Sequence, residues 1–423
     1  MKGIAAVLMA SGYSTRFRPL NRRHKSLIEI GGKALLRRTL EGLSDIVDKL
    51  VIVYREGERE IVEEYVRDLD VSLVEHKREL IKGSRSVLKV AYPEISDFDK
   101  IVMLAPYHIG APEILKDLLR LLEESEVGLV LAPKKGTEQY GNAIVEGDRI
   151  VRVLEKKRVS IGRKISAIYA FRSSFVDKVV EQGDALYDRL GEAVLEFLLD
   201  ELARSKGIPF ITASLPSLKY PRHALDRLEF LLPRLYKRYS YLERLEGPNI
   251  KGTVLVGEGV EIKHGAYIEN AVILDGSIVY EYATIKNSFI GREVTIGNYA
   301  FVRDSSIGGR SIIGSYMEIA RSVIEQDVHT HSGFIGDSVI DVGSRIGAGT
   351  ITANRRLDRK SIVAMTPKGN IETRRDRLGA ILGREVKVGI HVSFMPAAIV
   401  GSRSIIYPKA IVKGYYPEES VIR

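Results

Sequence analysis

Two patterns of apolar residues divide the chain. In the first half, short apolar runs alternate with segments in which apolar residues recur at helical spacing. The first run, IAAVLM over residues 4–9, predicts a buried strand that leads directly into a glycine turn. This alternation favours an α/β doubly wound (Rossmann-like) domain with a mostly parallel sheet, in which ligands bind at the carboxyl ends of the strands. The elements predicted after the first strand are helix 34–43, strand 50–54, helix 57–68, strand 71–75, helix 84–91, strand 101–105, helix 112–124 and strand 128–132.

The second half follows a period of six. Glycine often comes directly after the aliphatic residue of each period, as in Ile290-Gly291 and Ile296-Gly297. Short strands that turn about a triangular prism would point these aliphatic residues inward, so that neighbouring coils share one core. The pattern therefore predicts an all-β left-handed parallel β-helix built from hexapeptide repeats. The residues at this spacing include Val256, Ile262, Ile268 and Leu274, then Ile290, Ile296 and Val302, then Val388, Phe394, Val400, Ile406 and Val412.

Domain boundaries follow from the change of pattern. Residues 222–246 have helical apolar spacing with Pro233 as an expected kink, and Gly247-Pro248 is expected to end this helix. We predict a doubly wound domain over 1–221, a helical linker over 222–249 and a β-helix over 250–423. Residues 354–378 interrupt the rhythm, which predicts a loop that projects from the β-helix and can reach a neighbouring subunit; an ordinary solvated loop is the alternative.

Composition excludes several classes of function. The 423 residues contain no Cys, which rules out disulfides, thiolate metal sites and Cys nucleophiles. The sequence contains no run of 18 apolar residues, so no membrane span is predicted. The N-terminal apolar run is short and reads as a strand rather than a secretory signal, so we expect a cytoplasmic protein. The net charge of +9 suits phosphate-rich ligands. No RNA-binding motif is present, so we expect no nucleic-acid partner, and a solvated basic surface remains the alternative.

The turn after the first strand carries candidate phosphate chemistry. A strand, a glycine turn, an arginine and a helix form the usual cradle for phosphates on backbone N–H groups. The segment resembles the opening of the sugar-1-phosphate nucleotidyltransferases, with Ala-Ala-Gly-x-Gly-Thr-Arg, Pro-Leu and Pro-Lys. The matching residues are Ala10, Ser11, Gly12, Ser14, Thr15, Arg16, Pro19 and Lys25.

This resemblance implies roles for four of those residues. Gly12 and Thr15 would line the phosphate cradle, Arg16 would neutralise the triphosphate, and Lys25 would contact the transferred phosphoryl group, because phosphoryl transfer depends on positioning and charge neutralisation. Ser14 replaces the family's second glycine and is expected to narrow the cradle. Tyr140 and Gly141 match a family Tyr-Gly pair. Glu155 stands where the family's glutamate accepts hydrogen bonds from sugar hydroxyls.

The same family binds Mg²⁺ through two carboxylates that this chain lacks. Pro106 and Tyr107 stand where the family has Gly-Asp after the central strand, and Ser217 stands at the position of the second aspartate. Mg²⁺ is usually held by one or two carboxylates together with substrate phosphates. We therefore predict no protein metal ligands and impaired nucleotidyl transfer.

A polar stretch inside the repeat, His331 to Lys360, suggests a second site. It resembles the acetyl-transfer segment of the archaeal bifunctional N-acetylglucosamine-1-phosphate uridyltransferases/glucosamine-1-phosphate acetyltransferases. That resemblance implies His331 as general base, Asn354 to orient the amine or the sugar, Lys360 to bind the sugar phosphate, and acetyl-CoA as donor. Phe334 and Ala320 replace a family Tyr and Lys, which weakens the expected phosphate grip.

Two hypotheses follow. The first is a transferase of nucleotide-sugar metabolism that uses a nucleoside triphosphate or sugar nucleotide and a hexose 1-phosphate. The second is a non-catalytic sugar-nucleotide-binding subunit that regulates an active paralogue. The resemblance implies a homotrimer, and the second hypothesis implies assembly with the paralogue. A weaker alternative places Asp327, His329 and His331 on one strand face as a divalent-metal site.

Overall fold

The computed structural model describes residues 3–20, 24–80, 83–135, 141–154, 162–367 and 369–423. The chain forms two compact units. The first comprises Met1–Tyr13 and Leu35–Ser217, and the second comprises Ser14–Ala34 and Leu218–Arg423. Each unit has its own hydrophobic core.

The first unit is built on one mixed sheet. In the described residues its order is β3-β2-β1-β4-β8-β5-β9-β7-β6. The strands are β1 (Ile4–Ala10), β2 (Lys49–Arg55), β3 (Ser72–His76), β4 (Lys100–Leu104), β5 (Val127–Lys135), β6 (Asn142–Glu146), β7 (Arg149–Leu154), β8 (Arg163–Arg172) and β9 (Ile208–Thr212). The helices are α1 (Leu35–Leu43), α2 (Arg59–Val66), α3 (Gly83–Ile95), α4 (Ala111–Arg120), α5 (Ser173–Leu190) and α6 (Val194–Lys206).

Apolar composition explains why β1 lies at the centre of the parallel part. Ala5, Ala6, Val7 and Leu8 are fully buried on both faces of the strand, as expected where helices cover both sides of a parallel sheet. β1 pairs in parallel with β2 and β4. The predicted order of strands and helices, and with it the doubly wound class, is confirmed. The main departure is β8, which runs antiparallel to both β4 and β5.

The longer segment of the second unit, Leu218–Arg423, starts with a helix, α7 (His223–Arg238), that continues through Pro233. The predicted helix was longer, because Tyr239 to Glu246 continue the apolar spacing. Tyr239 instead leaves the helix and packs with Phe289 at a ring-centroid distance of 5.5 Å. Local periodicity cannot distinguish a residue buried by its own helix from one buried by a neighbouring coil.

The β-helix follows as predicted, with short parallel strands stacked coil upon coil. One set of paired strands comprises Glu261–Ile262, Ile278–Val279, Thr295–Ile296, Ile312–Ile313, His329–Thr330, Arg345–Ile346, Lys387–Val388, Ile405–Ile406 and Val421–Ile422. The other comprises Glu243–Arg244, Ile250–Val256, Tyr267–Ile273, Thr284–Ile290, Phe301–Arg303, Ser306–Ile307, Met317–Ala320, Val323–Ile324, Gly333–Gly336, Val339–Ile340, Thr350–Thr352, Ile381–Leu382, Ser393–Phe394, Ile399–Val400, Ile411–Val412 and Tyr415–Tyr416. The inward aliphatic residues of successive coils form one continuous core.

The region 354–378 is more ordered than the predicted loop. Val363–Thr366 and Gly369–Glu372 form an antiparallel hairpin. The chain that follows this hairpin is held against α7, because Arg375 forms ion pairs with Asp226 and, at 3.1 Å, with Glu229.

Residues Ser14–Ala34 pack with the β-helix unit, which the predicted domain over 1–221 did not anticipate. The backbone N–H of Gly31 donates to Ser306 Oγ at 2.8 Å, and Tyr239 donates its hydroxyl to the Gly31 carbonyl at 2.9 Å. Gln326 Nε2 donates to Glu29 Oε2 at 2.7 Å. The segment includes a two-stranded hairpin, Glu29–Ile30 with Lys33–Ala34.

No helix in the described parts of the chain has both the length and the apolar character required to cross a bilayer.

Candidate active site

The carboxyl edge of the sheet holds a serine–histidine pair. Ser11, which directly follows β1, lies with its Oγ 2.9 Å from Nδ1 of His76, the last residue of β3. Nε2 of His76 lies 3.0 Å from the Leu80 carbonyl, so Nε2 donates there and Nδ1 accepts from Ser11. Burial lowers the pKa of His76, which favours this neutral ring. The pair fixes the start of the glycine turn. No sequence pattern reveals this pair, because the two residues are far apart in the chain.

The predicted metal positions hold no carboxylates. The Pro106 carbonyl accepts a hydrogen bond from Thr39 Oγ1 at 3.0 Å, and the Tyr107 ring packs on His108 with centroids 4.8 Å apart. Among the residues that the structure describes, no group of three or more His, Asp or Glu side chains is arranged to hold a metal ion. The two family positions, Tyr107 and Ser217, therefore supply no carboxylate for the Mg²⁺ that the family resemblance implies.

Of the other residues predicted for nucleotidyl transfer in the first unit, the structure describes some and not others. Gly12 is exposed, and a Cβ at this position would meet no atom within 4 Å. Gly141 accepts a backbone hydrogen bond from Ile165 at 2.9 Å. Tyr140 and Glu155 lie outside the described residues, so their predicted roles stay predictions.

The two predicted phosphate-binding cations, Arg16 and Lys25, belong to the second unit, whereas Gly12 belongs to the first. Ser14 adopts the left-handed conformation with φ 50°, and its Oγ accepts the backbone N–H of Lys25 at 3.2 Å. The serine thus takes the backbone conformation for which the family uses glycine. Burial, with the charges of Arg227 and Arg16, lowers the pKa of Lys25 to about 8. Such a cluster of like charges would be stabilised by a bound anion.

Within the second unit, Arg16, Arg18 and Arg222 border a cavity of about 360 Å³. Arg16 and Arg18 are exposed at its rim, and Arg222 lies against the ring of Tyr220 at 4.3 Å. The opposite wall is apolar. It is formed by the hairpin and the later coils, through Ala364, Pro367, Ile371, Leu378, Ile381, Ile399 and Tyr415.

His331 stands between glycines in its column of equivalent coil positions. It follows the strand His329–Thr330, at the position that Gly314 holds in the preceding coil and Gly347 in the following coil. A Cβ on Gly314 would lie 2.8 Å from the His331 Cα, so the coils approach closely here. With glycine above and below it, the His331 side chain is exposed, and its ring has no hydrogen-bond partner among the described residues.

Asp337 directly follows the next strand, Gly333–Gly336, and so lies at the end of that strand away from His331. This carboxylate is 2% exposed and accepts two hydrogen bonds from Arg321, both at 2.8 Å. Asn354 Nδ2 donates to the same carboxylate at 2.5 Å. Arg321 lies just beyond the end of the strand Met317–Ala320, with φ 48°, and its side chain turns toward Asp337.

The structure therefore places His331 and Asn354 at the two ends of this strand. A strand of four residues spans roughly 13 Å. The outward side chain between them is Phe334, whose ring lies over Gly336: a Cβ there would be 2.5 Å from Phe334 Cζ. Lys360 is exposed, and its backbone N–H donates to Asp358 at 3.2 Å.

The weaker metal hypothesis at this corner is not supported. Asp327 binds Arg345 at 3.1 and 3.2 Å, and His329 Nε2 lies 3.2 Å from the same carboxylate. The carboxylate is therefore engaged by an ion pair with Arg345 and by its contact with the His329 ring. His331 is not part of that cluster.

A doubly wound sheet with a glycine turn after its first strand, joined to a parallel β-helix, is the two-part architecture that the family resemblance implies. The model of the MobA-like NTP transferase domain matches residues 6–231, more than half of the chain. The chain therefore belongs to this NTP transferase family, and the predicted family resemblance is confirmed. The model of the GMPPB C-terminal domain matches residues 245–324.

Similar proteins share both halves. The chain is 25% identical to the bifunctional protein GlmU of Methanocaldococcus jannaschii, over 96% of this chain and 94% of that protein. It is 24% identical to a bifunctional sugar-1-phosphate nucleotidylyltransferase/acetyltransferase of Sulfurisphaera tokodaii, over 96% of both chains. It is 26% identical to the bifunctional protein GlmU of Methanococcus maripaludis, over 99% of this chain and 96% of that protein.

Proposed function

We propose that this protein is an acetyl-CoA-dependent N-acetyltransferase that acts on an amino-sugar phosphate at His331, and that its nucleotidyl transfer is impaired. The observation that carries the proposal is the exposed imidazole of His331, displayed between glycines. A general base must be open to its substrate and must not be engaged in structural hydrogen bonds. His331 meets both conditions within the described residues.

The chemistry follows from the properties of that group. The acceptor amine attacks the thioester carbonyl, a C–N bond forms and the C–S bond breaks. His331 takes the proton that the nitrogen loses and returns it to the departing CoA thiolate. A neutral imidazole accepts a proton and its protonated form donates one, so the same group can serve in both steps.

The Arg321–Asp337–Asn354 network supplies rigidity in this proposal. The carboxylate fixes Asn354 at the far end of strand Gly333–Gly336. Asn354 orients the sugar, and Lys360 on the charged segment binds its phosphate. Because His331 and Asn354 lie at opposite ends of one strand, a site formed with a neighbouring copy would bring complementary groups together, as in the expected homotrimer.

Impaired nucleotidyl transfer is supported by the first unit. The absence of the two carboxylates removes the groups that template an in-line displacement with Mg²⁺. The same replacements favour the second hypothesis, a regulatory subunit that binds a sugar nucleotide and pairs with an active paralogue. With acetyl-CoA and sugar phosphates as substrates, the proposed place of action is the cytoplasm.

A thiol-release assay distinguishes these functions. Purified protein is incubated with acetyl-CoA and glucosamine 1-phosphate, and free CoA is measured beside the His331→Ala variant. Turnover that the variant lacks supports the acetyltransferase. A wild-type rate equal to that of the variant would refute it, and sugar-nucleotide binding in calorimetry would then support the regulatory subunit.

A further inference from the structure

A stack of exposed tyrosines runs along one corner of the β-helix. Tyr282, Tyr299 and Tyr316 hold equivalent places in three successive coils, each in the left-handed conformation with φ 58°. Their ring centroids are 5.3 and 5.2 Å apart, and the ring planes differ by only 11° and 8°. None of these rings belongs to the core. The three residues are spaced seventeen apart in the sequence, which is the length of one coil.

The stack ends at the coil that carries His331. Phe301 pairs with Glu318, seventeen residues later, but Met317 pairs with Gly333, only sixteen residues later. The shortened turn places Ser332 and Gly333 at the corner, and neither has a ring to continue the stack. Within the described residues, no aromatic contact covers the outer face of Tyr316, and this ring is 67% exposed.

A ring closes the far side of the gap. The next corner is Gly349, and the one after it is His391. A Cβ on Gly349 would lie 2.4 Å from His391 Nδ1, so the imidazole leans over this glycine. Three inter-strand spacings, roughly 14 Å in total, separate the corners of Tyr316 and His391. Only serine and glycine lie at the two corners between them.

His331 lies next to the same gap along the chain. It immediately precedes Ser332 at the shortened turn, and it is exposed between Gly314 and Gly347. The base is therefore adjacent to the corner at which the aromatic stack stops, and the open face of Tyr316 borders the space there. A tyrosine continuing the stack at Ser332 or Gly349 would fill that space.

We propose that this gap is the acceptor subsite, in which the pyranose ring of an amino-sugar phosphate stacks on the open face of Tyr316 with its amine toward His331. The proposal rests on the acetyl transfer proposed above and names its acceptor subsite. The face of an aromatic ring carries negative charge density, so it attracts C–H groups and an ammonium. An amino sugar offers both.

Adenine of acetyl-CoA is the competing occupant. The acceptor amine must come within hydrogen-bond reach of the base, whereas adenine and the thioester occupy opposite ends of CoA. A ring stacked beside His331 is therefore expected to be the sugar. The assay below separates the two occupants.

Steady-state kinetics test the subsite in the full chain. For Tyr316→Ala, we expect the KM for glucosamine 1-phosphate to rise at least tenfold and the KM for acetyl-CoA to stay within twofold. Tyr316→Phe, which keeps the ring, should behave like the wild type. Tyr282→Ala, at the other end of the same stack, is the matched control and should leave both KM values unchanged. An unchanged acceptor KM in Tyr316→Ala, or a rise in the KM for acetyl-CoA instead, would overturn the subsite.

A binding measurement separates failure of the subsite from failure of the proposed function. The chain contains no Trp, so Tyr316→Trp introduces a single indole whose emission reports stacking. We expect glucosamine 1-phosphate alone to quench or shift this emission, with no response in Tyr282→Trp. A sugar response in a protein without acetyl transfer would uphold the subsite and refute the proposed function. Active transfer without any sugar response, or a response to CoA alone, would overturn the subsite.

Discussion

The carboxyl edge of the α/β sheet and the His331 corner of the β-helix differ in what they retain. At the sheet edge the scaffold is complete, with the buried centre of β1 and a glycine turn, but Tyr107 and Ser217 stand where the family's carboxylates would hold a metal. At the corner, His331 stands between Gly314 and Gly347, where the neighbouring coils need no side chain. Packing preserves apolar residues and glycines whether or not chemistry occurs, so function depends on the side chains that packing does not require.

Removal of His331 is expected to give the largest effect. His331→Ala should lower the rate of acetyl transfer by about 10²–10⁴, because it removes a general base. His264→Ala, another exposed histidine on the β-helix, is the control and should retain full activity. Thiol release under saturating acetyl-CoA measures both variants. If the activity of His331→Ala stays within threefold of the wild type, His331 is not the general base and the β-helix corner keeps no more catalytic chemistry than the sheet edge.

Loss of the Asp337 charge should affect stability as well as activity. Asp337→Asn keeps a residue that tolerates the left-handed conformation, φ 51° here, but leaves Arg321 without its counter-charge. Breaking a buried pair in this way typically costs about 3 kcal/mol of unfolding free energy. Denaturant unfolding measures the change.

The matched control is Asp358→Asn. Asp358 pairs with Arg356 on the exposed surface and should give no measurable change. Equal unfolding midpoints for Asp337→Asn and the wild type would mean that the network does not stabilise this corner.

The pKa of Lys25 predicts a pH dependence of stability. In the folded protein this pKa is about 8, against an ordinary value of 10.5. Between these pH values the unfolded chain binds more protons at Lys25 than the folded protein does, so unfolding free energy should rise with pH. Each pKa unit corresponds to about 1.36 kcal/mol, so the unfolding free energy should rise by at most roughly 3 kcal/mol.

Lys25→Met should abolish this contribution. Denaturant unfolding at pH 7.5, 9 and 10.5 gives the difference between wild type and variant, with the exposed Lys251→Met as control. A difference that does not change with pH would show that Lys25 titrates normally.

The smallest expected effect concerns Mg²⁺ at the first unit. Because the described sheet edge lacks the required carboxylates, Mg²⁺ should change the calorimetric affinity for UTP or dTTP by less than threefold. No pyrophosphate should be released with hexose 1-phosphates. Mg²⁺-dependent tightening by tenfold, together with turnover, would show that other groups replace the lost ligands and that both regions are active.

Periodicity predicted the architecture because each element repeats its own pattern. The six-residue spacing gave the β-helix, and the alternation of apolar runs gave the order of strands and helices. The Arg321–Asp337 pair escaped prediction, because strand alternation does not hold beyond the end of a strand. Tyr282, Tyr299 and Tyr316 carried a readable signal, a spacing of one coil, but only knowledge of the coil length gives that spacing a meaning.

The site was predicted less completely than the fold. His331 and Asn354 were identified by family resemblance, but their separation along one strand depends on the register between coils. The packing of Ser14–Ala34 with the β-helix unit depends on contacts with residues almost 300 positions away, such as Glu29 with Gln326. No local pattern encodes such a contact.

Because of this packing, an early segment of the chain depends on residues that come much later. Ser14–Ala34 lies early in the chain but is held by Ser306, Gln326 and Tyr239. A gene fusion that exchanged everything after Ser217 would leave this segment without the surface that fits it. The two halves are therefore expected to be transmitted and to diverge as a pair rather than as interchangeable modules.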